Sequence, residues 1–306
     1  MATLASSSSS SSSTLPSVDQ APLPMQRSRG YWASAALRFT RDPVAVGAAL
    51  VVLLLIALAI FGPLLAPADP YQASMLKRLK PIGTEGLPLG SDELGRDMLS
   101  RLIVGARLSL FIGITPVICA FFIGTAIGIL AGYAGGFVNT SIMRTIDVFY
   151  AFPSVLLAIA LSGVLGAGIV NSLISLTIVF IPQIARVAES VTTQVRGRDY
   201  VEAARASGAN AFTIVRVHVL GNVLGPIFVY ATSLIAVSMI LASGLSFLGL
   251  GVKPPEPEWG LMLNTLRTAI YVQPWVAALP GAMIFITSIS FNLLSDGIRS
   301  AMDNKG

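Results

Sequence analysis

Side chains that could take part in catalysis are scarce in this chain of 306 residues, which has one histidine and one cysteine. His218 alone cannot form a paired-histidine zinc motif, and Cys119 alone cannot form an internal disulfide. The chain also lacks the G-x-S-x-G sequence of many hydrolases and the G-x-x-x-x-G-K-[ST] loop that cradles nucleotide phosphates. The sequence therefore predicts no catalytic residue, no metal site and no cofactor site on this chain.

The spacing that does suggest a function lies in residues 194–222, which include the string RDYVEAARASGANAFTIVRVHVLGN. Asp199, followed three residues later by Glu202, resembles an N-terminal capping box. Gly208 is suited to end the helix that this box would begin. One face of that helix carries small and aromatic residues at helical spacing: Tyr200, Ala203, Ala204 and Ser207.

Asn210 is placed to cap a second short helix over residues 211–219, so the segment predicts two short helices joined by a turn. A face made of alanines is a poor core by itself, but it fits closely into a groove on another protein. The alternative is a loop helix that lies on the membrane surface.

Long apolar runs elsewhere in the chain indicate membrane-spanning helices. Hydrophobic residues make up 54% of the sequence and charged residues 11%, whereas soluble domains carry roughly a quarter charged residues. The gaps between charges exceed the roughly 20 residues that cross about 30 Å of hydrocarbon as a helix, and a β-barrel would instead show alternating strands. We predict an all-α polytopic protein with six spans: residues 44–66, 108–131, 141–161, 169–190, 223–247 and 276–295.

The spans divide the chain into a tail and one membrane domain. Residues 1–43 comprise a Ser-rich, low-complexity segment, predicted to be disordered, and a short lead-in. Residues 44–304 form the predicted six-helix domain, with a cytoplasmic segment at 194–222 and outer loops at 67–103 and 248–275. With both termini in the cytoplasm, twelve of the 20 Lys and Arg residues fall on the inner side, which favours this orientation.

Two features within the spans bear on packing and on energy supply. Gly124, Gly128 and Gly132 recur at every fourth residue of the second span, where they would allow a neighbouring helix to approach closely. Asp147 is predicted to meet Arg144 one helical turn away, near an inner end. Because no charge is predicted at the membrane midplane, the chain lacks the groups of an ion-coupled carrier, and its energy must come from elsewhere.

The 194–222 segment resembles the EAA loop of ABC-importer permeases, whose pattern is E-A-A, three residues, Gly, and then Ile and a Leu-Pro pair. Gly221 stands where the family usually has Pro, and the matching residues are Glu202, Ala203, Ala204, Gly208, Ile214 and Leu220. Four further stretches resemble the dipeptide/oligopeptide/nickel branch, and within it the second of two paired subunits: LGSDELGRDMLSRLIVGARLSL, IMRTIDVFYAFPSVLLAIA, LSFLGLGVKPPEPEWGLML and FNLLSDGIRSAMD.

The resemblance implies one half of a type I importer in the bacterial plasma membrane. A homologous second permease subunit would complete a path for peptides, two cytosolic ATPase subunits would bind ATP and Mg, and an extracytoplasmic binding protein would deliver the solute. The helix over residues 200–207, with Gly208 at its end, would couple the permease to the ATPase. Relatives that carry nickel, glutathione or other small solutes leave the substrate open, and an ion-coupled carrier, a channel and a membrane scaffold are the rival classes.

Overall fold

The computed structural model describes residues 31–302, so the predicted Ser-rich tail lies outside the described residues. Eleven α-helices follow one another in this part of the chain: α1 Tyr31–Thr40, α2 Pro43–Leu65, α3 Met98–Ala134, α4 Gly136–Tyr150, α5 Ser154–Leu165, α6 Ile169–Arg196, α7 Asp199–Ala206, α8 Ala211–Ile214, α9 Leu220–Phe247, α10 Trp259–Thr265 and α11 Pro274–Met302. Short 3₁₀ turns occupy Met75–Lys77 and Ala269–Tyr271, and a π-helical turn occupies Val215–Val219.

Five of the helical segments are long and apolar enough to cross a membrane, and there are six if the bent pair α4–α5 counts as one span. This confirms the all-α class, and it agrees with the six predicted spans when the bent pair is counted as one. The predicted division of the third and fourth spans is also confirmed, since α5 ends at Leu165 and α6 begins at Ile169. Gly166, with φ +87°, lies in the turn between them.

The third span is not the single straight helix that residues 141–161 predicted. Helices α4 and α5 meet at an angle of 86°, and Pro153 begins the second of them as its N-cap residue. Proline has no backbone N–H and disfavours a helical conformation at the residue before it, which here is Phe152. The prediction thus located this segment, but it missed the change of direction and was shorter than the pair, which extends from Gly136 to Leu165.

The predicted separate helix over residues 211–219 is also wrong, because the helix that starts at Ala211 continues without a break to Phe247. Ile214, Val219 and Val223 are fully or almost fully buried along this stretch. The π-helical turn contains one residue more than an α-turn, so it keeps Ile214 and Val219 on the same buried face. This continuous apolar face joins the two segments.

Helix α3 begins ten residues before the predicted span and takes up the last part of the predicted loop 67–103. Asp97 caps it, with its carboxylate accepting a hydrogen bond from the backbone N–H of Ser100 at 2.8 Å. The charges of Arg101 and Arg107 mark the limit of the apolar run, but they do not end the helix.

Helices α3 and α6 form the most extensive helix pair of the bundle. A Cβ atom added to Gly124 would lie 2.9 Å from the carbonyl oxygen of Ile181, and one added to Gly132 would lie 2.7 Å from that of Glu189. Real Cβ atoms essentially never come this close to another atom. The glycine face of α3 therefore brings the two helix backbones into direct contact.

The loops at one end of the bundle, residues 66–97 and 248–273, pack on each other. The Trp259 indole, fully buried, donates a hydrogen bond to the carbonyl oxygen of Leu102 at 3.0 Å. Arg101 donates to the carbonyl oxygens of Pro70 at 3.0 Å and Pro255 at 3.4 Å, and so bridges the two loops. We call this the loop end.

The opposite end, called the α7 end, carries α7 and both limits of the described chain. The end of α11 approaches the start of α2 so closely that a Cβ on Gly297 would lie 2.3 Å from the Cβ of Ala45. Helix α1 packs against α2 and α11 at the same end. The predicted placement of both termini on the side of residues 194–222 agrees with this arrangement.

Candidate coupling site at the α7 end

Helix α7 begins differently from the predicted capping box. Arg198 occupies the N-cap position, with φ −85° and ψ 143°, and its side chain makes no capping hydrogen bond. Asp199 is the first helical residue, so Asp199 and Glu202 both lie in the first turn. Carboxylates at this position interact favourably with the positive end of the helix dipole, which stabilises the start of α7 without a side-chain cap.

The other end of α7 is closed by a complete Schellman motif. Gly208 has φ +83°, which confirms its predicted place just beyond the helix. Its N–H donates to the carbonyl oxygen of Arg205 at 3.0 Å, and the N–H of Ala209 donates to that of Ala204 at 3.1 Å. These two bonds satisfy carbonyl groups that a helix end otherwise leaves free, so the last turn of α7 does not fray.

The following helix starts where the sequence predicts. The side-chain oxygen of Asn210 accepts a hydrogen bond from the backbone N–H of Thr213 at 2.8 Å. The turn between α7 and α8 is thus fixed on one side by the Schellman motif and on the other by an N-cap.

One face of α7 is anchored to the bundle. Val201 is fully buried in the same apolar cluster as Ile214 and Val219, and Ala204 packs against that cluster. Full burial of an aliphatic side chain such as Val201 contributes about 1.5–3 kcal/mol. Movement of α7 is therefore linked to movement of the long helix that begins at Ala211.

The opposite face of α7 is exposed. It carries most of the residues singled out in the sequence: Tyr200, Glu202, Ala203, Ser207 and Gly208. The predicted alanine face is divided, because Ala204 turns toward the core while Ala203 is open. The exposed surface is therefore narrower than predicted, and two large side chains, Tyr200 and Phe212, lie beside its small residues.

Tyr200 lies with its ring centroid 6.2 Å from that of His218 and is 43% exposed. Phe212, which the sequence reading missed, is 74% exposed. Phe212 lies two positions before the buried Ile214, so the two side chains point to nearly opposite sides of the helix. That offset in the apolar pattern is the signal that could have identified Phe212 from the sequence.

The base of α7 is fixed to the α3–α6 pair. Arg196, the last residue of α6, donates to the carbonyl oxygen of Gly132 at 3.4 Å. Asn139 of α4 donates to the carboxylate of Glu189 at 2.7 Å and to the carbonyl oxygen of Ala131 at 3.2 Å. These bonds join the ends of α3, α4 and α6 directly behind α7.

A group of three or more His, Cys, Asp or Glu side chains that could hold a metal ion is not found within residues 31–302. The surface at the α7 end is suited to contact with another macromolecule: a short rigid helix, fixed at both ends and packed on the spans, presents small and aromatic side chains.

Five to six candidate spanning helices with a short, packed helix at one end define a multi-pass α-helical membrane protein. Residues 124–305 match the binding-protein-dependent transport system inner membrane component family, and the chain belongs to this family of ABC-importer permeases. Residues 30–81 match the N-terminal transmembrane domain of oligopeptide transport permease C. The protein is thus a multi-pass inner-membrane permease of the dipeptide/oligopeptide branch, as the resemblance predicted.

Two curated relatives cover nearly the whole chain. The glutathione transport system permease protein GsiD of Pectobacterium atrosepticum is 43% identical over 288 residues, which cover 93% of this chain and 96% of the relative. The di/tripeptide transport system permease protein DppC of Pseudomonas aeruginosa is 40% identical over 280 residues, covering 90% of this chain and 91% of the relative.

Among solved structures, the fold is similar to that in inward-facing conformations of the MetNI methionine ABC transporter. The TM-score is 0.54 at 19% identity, and the match covers 67% of this chain and 97% of that chain. This likeness supports the type I importer permease fold.

Proposed function

We propose that this permease imports small peptides, that it pairs with a second permease subunit, and that α7 is the helix through which two cytosolic ATPase subunits move it. The α7 end would face the cytoplasm and the loop end would face the solute-binding protein. ATP and Mg would bind to the ATPase partners, since this chain has no phosphate-cradling loop.

The geometry of α7 carries the coupling part of the proposal. A helix can transmit a push only if it neither frays nor shifts on its support. The Schellman motif at Gly208 closes its end, and the buried side chain of Val201 fixes it to the bundle. The exposed Ala203 leaves room for a groove to close around the helix.

The two relatives support peptides as the substrate class. One is named for glutathione and the other for di- and tripeptides, and glutathione is itself a tripeptide. Molecules of this class carry a free amino group and at least one free carboxylate, so one path could serve both.

The coupling role is tested by Ala203→Trp in the complete importer, reconstituted with its partner subunits. The bulky side chain would block the ATPase contact, and we expect solute-stimulated ATP hydrolysis to fall at least about tenfold while the permease still inserts. Ala134→Trp is the matched control, because Ala134 is also exposed, at the end of α3 and outside α7. Normal stimulated hydrolysis in the Ala203 variant would remove α7 from the coupling pathway.

A further inference from the structure

The break between α4 and α5 opens a cleft against α6. Its volume is about 440 Å³, and its walls include the aromatic residues Tyr150 and Phe152 at the break and Pro182 and Gln183 of α6. The side-chain amide of Gln183 donates to the hydroxyl of Ser154 at 3.2 Å. The cleft therefore combines apolar walls with polar groups, as ligand sites commonly do.

An ion pair adjoins this cleft. The guanidinium group of Arg186 on α6 pairs with the carboxylate of Asp147 on α4, and each side chain is 46% exposed. The Arg186 Cζ atom also lies 4.8 Å from the centroid of the Tyr150 ring. Tyr150 thus contacts the ion pair on one side and lines the cleft on the other.

The depth of this pair indicates what it faces. At about 1.5 Å per residue, Arg186 lies roughly 25 Å along α6 from Ile169, so a span that begins at Ile169, as the sequence predicts, places Arg186 within the ~30 Å hydrocarbon layer near its α7 end. Charged side chains exposed to lipid at such a depth are costly, so they normally face water or protein. The exposed Ser190 and Thr193 continue a polar stripe on the same face of α6 toward the α7 end.

We propose that Arg186, Asp147 and Tyr150 form a binding site for a small zwitterion that carries a free carboxylate and a free ammonium group. Arg186 would bind the carboxylate through two parallel N–H bonds, and Asp147 would bind the ammonium group. The cleft would hold the rest of the ligand beside Tyr150. The substrate class rests on the proposed function, whereas the site rests on these contacts.

An ion pair suits a zwitterionic ligand because each side chain can exchange its protein partner for a ligand group of the same charge. When a zwitterion enters, Arg186 and Asp147 each replace one opposite charge with another, so neither charge is left unpaired at the cost that this would carry inside the membrane. The net charge of the site also stays the same. A lone arginine would instead select anions.

The chain offers a matched control for the arginine. Arg144 lies on α4 close to Asp147 in sequence, where sequence spacing predicted the ion pair, but Asp147 pairs with Arg186 instead. Arg144 is exposed, and it takes part in none of the ion pairs found in residues 31–302. Arg144→Gln therefore removes one positive charge, as Arg186→Gln does, but takes it from α4 and leaves both members of the ion pair in place.

The test is binding of trialanine to the full chain in lipid nanodiscs, measured by saturation-transfer NMR. We expect saturable binding to the unaltered protein and binding at least about tenfold weaker for the C-terminal amide of trialanine. Arg186→Gln should weaken trialanine to the level of the amide, whereas Arg144→Gln should bind like the unaltered protein. Glutathione should compete with trialanine if both use the same site.

Several outcomes would overturn the site. The first is unchanged trialanine binding in the Arg186→Gln variant. The second is an equal loss of affinity for trialanine and for its C-terminal amide in that variant. The third is a loss of trialanine affinity in the Arg144→Gln variant as large as that in the Arg186→Gln variant. If Arg186→Gln fails to assemble, Arg186→Lys keeps the charge without the two parallel bonds and should still lose selectivity against the amide. The proposed function is judged separately, by ATP-driven peptide uptake in the complete importer.

Discussion

Gly128 of α3 and Ala188 of α6 meet where the two helices cross, and a Cβ on Gly128 would lie 2.5 Å from the Cβ of Ala188. The same added atom would lie 2.4 Å from the carbonyl oxygen of Ala185. This contact therefore excludes every side chain, and it lies in the pair of helices that supports α7.

Gly128→Ala should destabilise the protein, because the added methyl group must push two helix backbones apart. We expect a loss of about 1–3 kcal/mol, typical of an overpacked core. Gly47→Ala is the control: Gly47 is also helical but has no atom within 4 Å of an added Cβ, so this change should be neutral or stabilising. Thermal unfolding of both variants in the same detergent provides the comparison, and equal midpoints would contradict the close contact.

Gly208→Ala should loosen the end of α7, because an alanine at φ +83° is strained. The expected cost is about 1 kcal/mol at this position. Hydrogen exchange should quicken at the amides of Gly208 and Ala209, which the Schellman motif protects. Gly221→Ala is the control, since Gly221 lies inside the long helix with open space around it. In this variant the amides of Gly208 and Ala209 should exchange no faster than in the unaltered protein.

Asp92→Asn should destabilise the loop end strongly. The Asp92 carboxylate accepts from Nε of Arg96 at 2.6 Å and lies 3.3 Å from Nε of Arg101. All three side chains are at most 5% exposed. Because the substitution leaves two buried cations without the carboxylate that they share, we expect the free energy of unfolding to fall by about 3–5 kcal/mol. Limited proteolysis of residues 66–97 measures the effect. Glu93→Gln should have less effect, as that side chain is 21% exposed.

The stability of the loop end should depend on pH through Glu258, which is 2% exposed. Its oxygens accept from the N–H groups of Gly260 and Leu261 at 2.9 and 2.7 Å. Burial nevertheless raises the pKa of Glu258 above its ordinary value of 4.5, although these bonds partly offset the rise. The folded state therefore binds the proton more tightly, and the free energy of unfolding falls as the pH rises from 4.5 through the raised pKa.

Comparison of unfolding midpoints at pH 4 and pH 7 checks this dependence. The unaltered protein should lose stability relative to the Glu258→Gln variant as the pH rises, because glutamine does not titrate. A constant difference between the two proteins across this range would exclude Glu258 as the source.

Much of the fold follows from the distribution of charges and of proline and glycine. Long charge-free runs predict the spans because lipid penalises charge, and Gly166 and Gly208 mark the ends of helices that the structure confirms. The same runs do not report direction: a proline such as Pro153 indicates a possible kink, but not the right-angled break that the structure shows. The continuity of the helix beyond Ala211 was missed because it depends on a buried stripe rather than on a capping signal.

The partner of Asp147 shows the other limit of sequence reading. Spacing within one helix favoured Arg144, but the pairing depends on where α4 crosses α6, which brings Arg186 closer. Such a crossing is set by the bend of one helix and the packing of another, and neither can be read from local periodicity.

The uninterrupted helix Ala211–Phe247 has a mechanical consequence. At about 1.5 Å per residue it is roughly 55 Å long, and its two places suited to bending are the π-helical turn Val215–Val219 and Pro226. If one tip pivots by about 10°, simple geometry displaces the other by roughly 10 Å for that length. To the extent that the helix moves as one body, a small rotation at the α7 end thus becomes a larger lateral displacement at the loop end.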